Sequence, residues 1–192
     1  MFRAKKEDKH LIIRLLQGSF LDNQSVNFIV DQDNNKLKRI RDLMDYSFEV
    51  CRLFGEIWLS DEKKACVLVL YPDLKHISLK SIWLDMKLIF QSIGLNNIPR
   101  VLNREAQVKK LQPKTKMAYL WFIGVDPLHQ HQGIGSLLLE EIIANANSKN
   151  LPVYLETSTI ENLPWYKSFG FEIYNKLELS HTLFFLKHEP DN

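Results

Sequence analysis

Cysteine is scarce: Cys51 and Cys66 are the only two in 192 residues, and no CxxC spacing joins them. That argues against a disulfide framework or a cysteine metal site and predicts two buried thiols in a reducing compartment. Long apolar runs are lacking too, and none approaches the roughly 18 consecutive residues of a membrane span. The opening Met1-Phe2-Arg3-Ala4-Lys5-Lys6 runs straight into charge without the apolar core of a signal peptide. The expectation is a soluble cytoplasmic protein with no membrane partner. Charge of one sign is not concentrated: the net +2 comes from interspersed residues, and Lys5-Lys6 and the run 36–41 read as solvated faces. Nucleic-acid binding normally needs a basic stripe, so no nucleic acid is expected as partner. The histidines show no HExxH spacing, so no metal is expected. Neither repeats, low-complexity tracts nor a linker interrupt the chain, which predicts one domain over 1–192.

What is present is periodicity. A short first strand is predicted at 2–5, and Leu11, Ile12, Leu15 and Leu16 set a helix over 8–21. Residues 22–27 and 31–35 are polar and read as loop. Leu37, Ile40, Met44, Phe48 and Cys51 form the stripe of a second helix ending near Gly55. Residues 57–59 and 65–70 read as antiparallel strands joined by a charged turn. Leu79, Ile82, Trp83, Met86, Phe90 and Ile93 mark a third helix with Gly94 as its stop, and a weaker helical pattern runs from 99 to 111. Residues 117–125 are almost all apolar, the mark of a central strand covered on both faces. Gly124 near its end suggests a bulge or a close approach of ligand to backbone. A helix follows over 133–149, with Ile134, Leu138, Ile142 and Ala146 inward and Asn150 in the left-handed position after it. A strand at 153–157 leads to a short helix with Asn162 as cap, Pro164 in its first turn and Gly170 at its end. A hairpin of 171–179 and 182–188 closes a mixed α/β order.

Gln130-His131-Gln132-Gly133-Ile134-Gly135 lies between the apolar strand and its helix. A glycine turn opening a helix presents backbone N–H groups at the positive end of the helix dipole, which suits a phosphate or pyrophosphate. A dinucleotide fingerprint would need a third glycine where Leu138 stands, and a Walker loop would need a Gly-Lys-Ser/Thr tripeptide that does not occur. On the turn alone, a tight strand-to-helix connection with no ligand is an equal alternative.

Over 121–171 the chain resembles the GNAT superfamily of acyl-CoA-dependent N-acyltransferases. The family's Gln/Arg-x-x-Gly-x-Gly/Ala signature matches Gln130, Gly133 and Gly135, after a strand ending Val125-Asp126-Pro127. Val153-Tyr154-Leu155-Glu156-Thr157 stands where the family's fifth strand falls. Asn162-Leu163-Pro164-Trp165-Tyr166, with Phe169-Gly170-Phe171, resembles the family's Asn-x-x-x-Tyr segment and Gly-Phe ending. Gln132 departs from the Arg or Lys often found there, which shifts pyrophosphate binding onto backbone amides and the dipole, with help from His131. The resemblance implies an α/β (α+β) fold: a single GNAT-like domain whose mixed, mostly antiparallel sheet is flanked by helices and splayed between strands four and five.

It also implies acetyl-CoA as co-substrate, its pantetheine arm along Ile123, Gly124 and Val125. The pyrophosphate would rest on the amides of His131, Gln132, Gly133, Ile134, Gly135 and Ser136, beside Gln130. Asn162 and Tyr166 would face the cofactor from one side of the short helix. Tyr166 is the candidate acid, a phenol of reference pKa about 10 beside a leaving thiol of about 8.5, with a plain core aromatic as its alternative. Glu156 is the candidate base, with substrate recognition or a salt bridge as its alternatives. His129 and His131 are expected in solvent. The helical stretch 79–111 and the loop 20–35 would build the acceptor site or add a packing layer. The implied activity is an acetyl-CoA-dependent N-acetyltransferase acting on a primary amine of a small molecule or peptide, by direct attack in a ternary complex. A non-catalytic acyl-CoA-binding regulatory or interaction module is the alternative, and a homodimer stays open.

Overall fold

The apolar run 117–125 folds as the central strand of a seven-stranded mixed sheet, in a computed structural model that describes residues 1–190. The strands are β1 (Phe2–Arg3), β2 (Gly55–Leu59), β3 (Ala65–Leu70), β4 (Ala118–Val125), β5 (Val153–Thr157), β6 (Glu172–Glu178) and β7 (Thr182–His188). Their spatial order is β1-β2-β3-β4-β5-β7-β6, antiparallel throughout except for the parallel pair β4–β5. The helices are α1 (Lys9–Ser19), α2 (Gln24–Ile29), α3 (Lys36–Phe54), α4 (Leu79–Leu88), α5 (Ile98–Leu111), α6 (Ile134–Asn147) and α7 (Leu163–Ser168).

Two cores sandwich the sheet. On one face Ile12 and Leu16 of α1 and Ile40, Met44 and Phe48 of α3 are fully buried with Leu68, and Phe122 packs beside them. On the other, Leu138, Ile142 and Ala146 of α6 pack with Val67, Val69, Leu120 and Leu155. Each such large side chain contributes roughly 1.5–3 kcal/mol by leaving water. Cys51 and Cys66 are free and buried in the first core, as expected. Asn150 takes φ 52°, and the Leu151 N–H reaches back to the Ala146 carbonyl at 3.0 Å, closing α6 in the anticipated left-handed turn. Leu37 is the exception in the α3 stripe, because it falls in the first turn beyond the sheet and stays exposed.

The bulge in β4 falls at Trp121 rather than at Gly124. Phe122 pairs with Leu68 and Leu120 with Val69, so Trp121 is the extra residue. The alternation slips there: Trp121 and Phe122 both turn to the α1–α3 core, while Leu120 and Ile123 both turn to the α6 core. Gly124 is small for a different reason, since a Cβ would lie 3.0 Å from Ser19 Oγ and 3.1 Å from Leu16 Cδ2 where α1 crosses. The loop expected at 22–27 contains α2, capped by the Asn23 side chain accepting from the Val26 N–H at 3.0 Å. Six residues are too few to show a helical period. The third helix is regular only to Leu88 and runs on as a wider turn over Ile89–Ile93, stopped by Gly94 at φ 76°. Among the described residues, no helix is long and apolar enough to cross a membrane.

β4 and β5 pair only through Ala118–Val153 and Tyr119–Tyr154, and then part. This splay creates a large opening in the sheet's line of hydrogen bonds.

Candidate active site

A cleft of about 1690 Å³ follows from the parting of β4 and β5. Ile123, Val125, Gln130, His131, Gly133, Ile134, Gly135, Ser136, Glu156, Asn162 and Tyr166 all line it. Gly124 and Gln132 do not. The Asp126 N–H donates to the Lys64 carbonyl at 2.8 Å, so β-alternation turns the amide groups of Gly124 toward β3 as well. Those of Ile123 and Val125 face the gap. The Val125 carbonyl is already engaged, 2.7 Å from the Ser19 hydroxyl and 3.4 Å from Gln130 Nε2. Gln132 stands fully outward on the turn.

The turn itself is held open by backbone conformation. His131 at φ 60° and Gly133 at φ 80° are both left-handed, and a Cβ on Gly133 would meet nothing within 4 Å. Gly133 therefore serves dihedral freedom, not space. Gly135 serves space: its Cβ would sit 3.3 Å from Val125 Cγ2, with Trp165 at 3.8 Å. No side chain caps α6, and its first accepted bond runs from the Leu137 N–H to the Gly133 carbonyl at 3.1 Å. The N–H groups of Ile134, Gly135 and Ser136 thus stand without acceptors among the described residues, at the positive end of a fourteen-residue helix. Trp165 Nε1 donates to Ser136 Oγ at 3.0 Å and ties α7 to this mouth. His131 is exposed, as expected. His129 is not fully so: its Nδ1 is out of water with no hydrogen bond, 3.8 Å from Asp126.

On the facing wall Glu156 sits in a small polar network. Its Oε1 accepts from Gln112 Nε2 at 2.7 Å and its Oε2 from the Tyr119 hydroxyl at 2.5 Å. Withdrawal from water raises the Glu156 pKa; the two donated bonds and Arg104 oppose that shift without cancelling it. Tyr119 is raised well above an ordinary phenol by the same burial and by the carboxylate beside it. Tyr166 is 6% exposed, its ring 4.8 Å from Trp165 and 5.6 Å from Phe171, and burial raises its pKa. Its hydroxyl has no protein partner among the described residues. Asn162 precedes α7 in the N-cap position, but its side chain makes no capping bond.

Sequence reading passed over several lining groups. Tyr119 and Gln112 are polar tips on an apolar strand and at a helix end, and only folding brings them to Glu156. Of the stretch 79–111, α5 borders the cleft through Val101, Arg104 and Val108, whereas α4 reaches it at its C-terminal end through Leu88 and leaves Leu79 90% exposed. From 20–35, Phe20, Asn23 and Ser25 reach the cleft.

Residues 101–173 match a family model described as an acetyltransferase (GNAT) domain. An uncharacterized N-acetyltransferase of Schizosaccharomyces pombe is 40% identical over 53 residues, which are 28% of this chain and only 22% of that protein's length. Among solved structures, one described as histone acetyltransferase HPA2 and related acetyltransferase from Corynebacterium glutamicum aligns with TM-score 0.75 at 18% identity, covering 100% of this chain and 96% of that one. The arylalkylamine N-acetyltransferase 2 of Aedes aegypti aligns at TM-score 0.64 and 13% identity, covering 99% and 98%. Residues 101–173 are therefore similar in sequence to a GNAT acetyltransferase domain, within a chain whose whole length follows the fold of such structures.

Proposed function

We propose that this protein transfers an acetyl group from acetyl-CoA to a primary amine by direct attack in a ternary complex. One observation carries the reading: the gap between β4 and β5 ends on an uncapped, left-handed helix turn. The fit to the cofactor is good on both counts. Free N–H groups at Ile134 to Ser136 suit a diphosphate, and the gap-facing amides of Ile123 and Val125 suit the amide links of a pantetheine arm. Acetyl-CoA supplies the activated thioester, and the remaining chemistry falls to the chain.

Glu156 takes the proton that the acceptor ammonium must lose before its nitrogen can attack. Its raised pKa brings it nearer neutrality, where a base works best. As the nitrogen–carbon bond forms, a gap-facing backbone N–H of β4 stabilises charge on the carbonyl oxygen. The carbon–sulfur bond then breaks, and the second proton that the acylated nitrogen sheds balances the one the sulfur takes. Tyr166 lines the same cleft as a firmly protonated hydroxyl, which would donate a hydrogen bond to the developing thiolate. Full transfer from so weak an acid requires that the thiolate be desolvated and its pKa raised as well.

The test is release of coenzyme A thiol from acetyl-CoA over a broad amine panel, beside calorimetric binding of acetyl-CoA alone. Amine-dependent release is the expected result. Tight binding without release from any amine would replace catalysis with a binding role, and no binding would overturn the reading.

A further inference from the structure

We infer that the acceptor carries a carboxylate as well as its amine, and that Arg104 receives it; this rests on the acyl-transfer reading above. Arg104 projects from α5 into the same cleft as Glu156 and is only 7% exposed. A guanidinium stays charged at every accessible pH and carries five donors. Only one of its nitrogens is engaged, Nη1 with Glu105 Oε1 at 2.5 Å. Nε is sealed from water with no acceptor, and Nη2 has none among the described residues. Nη2 is therefore the free charged donor that a carboxylate oxygen in the cleft can reach, by a charge-assisted hydrogen bond.

The placement follows from one helix face. Arg104, Val108 and Gln112 recur at four-residue intervals; Val108 anchors the row by packing on Leu183 and Phe185, and Gln112 bonds Glu156. The row therefore lines one wall with a cation at one end and a carboxyl at the other. A simple ammonium would be repelled by Arg104. An amino acid satisfies both ends, its carboxylate on Arg104 and its ammonium toward Glu156. Glu105 is exposed and occupies only Nη1, so it leaves Nη2 free.

The coenzyme A-loaded protein is titrated calorimetrically with glycine, β-alanine, 4-aminobutyrate and 6-aminohexanoate, and with the carboxamide of each. Turnover of the same eight compounds with acetyl-CoA is measured in parallel. The expected result is a preference for at least one acid over its amide on the order of 100-fold. Arg104→Met should bring that ratio close to one, and Arg104→Lys should restore part of it, while acetyl-CoA affinity reports that both variants are folded. Equal use of acid and amide, a ratio unchanged in Arg104→Met, or no binding of any acid would overturn the inference. Arg104-dependent binding of an acid without thiol release would uphold it and sink the catalytic reading instead.

Discussion

At Glu156 two effects oppose each other on a single carboxyl. Tyr119 and Gln112 stabilise its charge by hydrogen bonds, and removal from water disfavours it; burial wins and the pKa rises. A carboxyl whose folded pKa exceeds its unfolded value contributes stability below the ordinary carboxylate range, and that contribution is lost as pH rises through the raised value. Glu156→Gln should then have a higher Tm than the parent at pH 8, with the difference vanishing toward pH 4. Its kcat/KM should fall about 100-fold or more, and the limb that rises with pH above the usual glutamate range should disappear. A parallel pH profile in parent and variant would remove Glu156 as base. Tyr166→Phe should lower kcat about 100-fold with acetyl-CoA affinity unchanged, and no limb from Tyr166 should appear below pH 10, since burial raises its pKa. Single-turnover rates check this where product release limits kcat.

At the scale of elements, two glycines do opposite jobs. Gly133 holds a positive φ in open space, so Gly133→Glu strains the turn slightly but sets a negative charge where the diphosphate would lie. The expected outcome is a folded protein that no longer binds acetyl-CoA, read by calorimetry and circular dichroism. Gly55 has extended backbone, and its limit is space: an added Cβ would stand 2.0 Å from the Val69 carbonyl oxygen across the β2–β3 pair. Gly55→Ala should cost about 3 kcal/mol, since backbone on both strands must shift. For a chain of this size that corresponds to a Tm lower by roughly 6–12 °C. Long elements were readable because their pattern extends over many residues: α3 and α6, by a repeating amphipathic period, and β4, by a sustained apolar run, stand close to where the pattern puts them. α2 was not, being too short to repeat. Gly55 reads in sequence as a helix stop; its steric reason lies in a partner strand that local pattern does not contain.

For the whole molecule, the splay of β4 from β5 leaves a cleft where a continuous sheet would have backbone hydrogen bonds. A ligand bridging that gap binds the folded chain alone, so acetyl-CoA at about 100 times its dissociation constant should add about 2.7 kcal/mol of stability. Thermal scans should show a Tm rise of roughly 5–11 °C. No shift at saturating acetyl-CoA would mean that the gap does not take the cofactor. The same cleft gathers α5, the 20–29 segment and the β5 wall, three parts of the chain far apart in sequence.

Local pattern by itself determined the order of the longer helices and the strands, the glycine turn after β4, the burial of both cysteines and the left-handed close of α6 at Asn150. Each depends on neighbours within a few residues: dihedral preference, apolar period and the end of a helix. Tertiary structure alone decided the bulge at Trp121 and the turning of Gly124 toward β3. It also decided which groups share the cleft wall around Glu156. Glu156 owes its raised pKa to burial that only the assembled sheet creates, and its hydrogen bonds to Tyr119 and Gln112, 37 and 44 residues away. Arg104 owes its unfilled donors to the same closure. Electrostatics and packing act through space, and the chain reveals them only once it has folded.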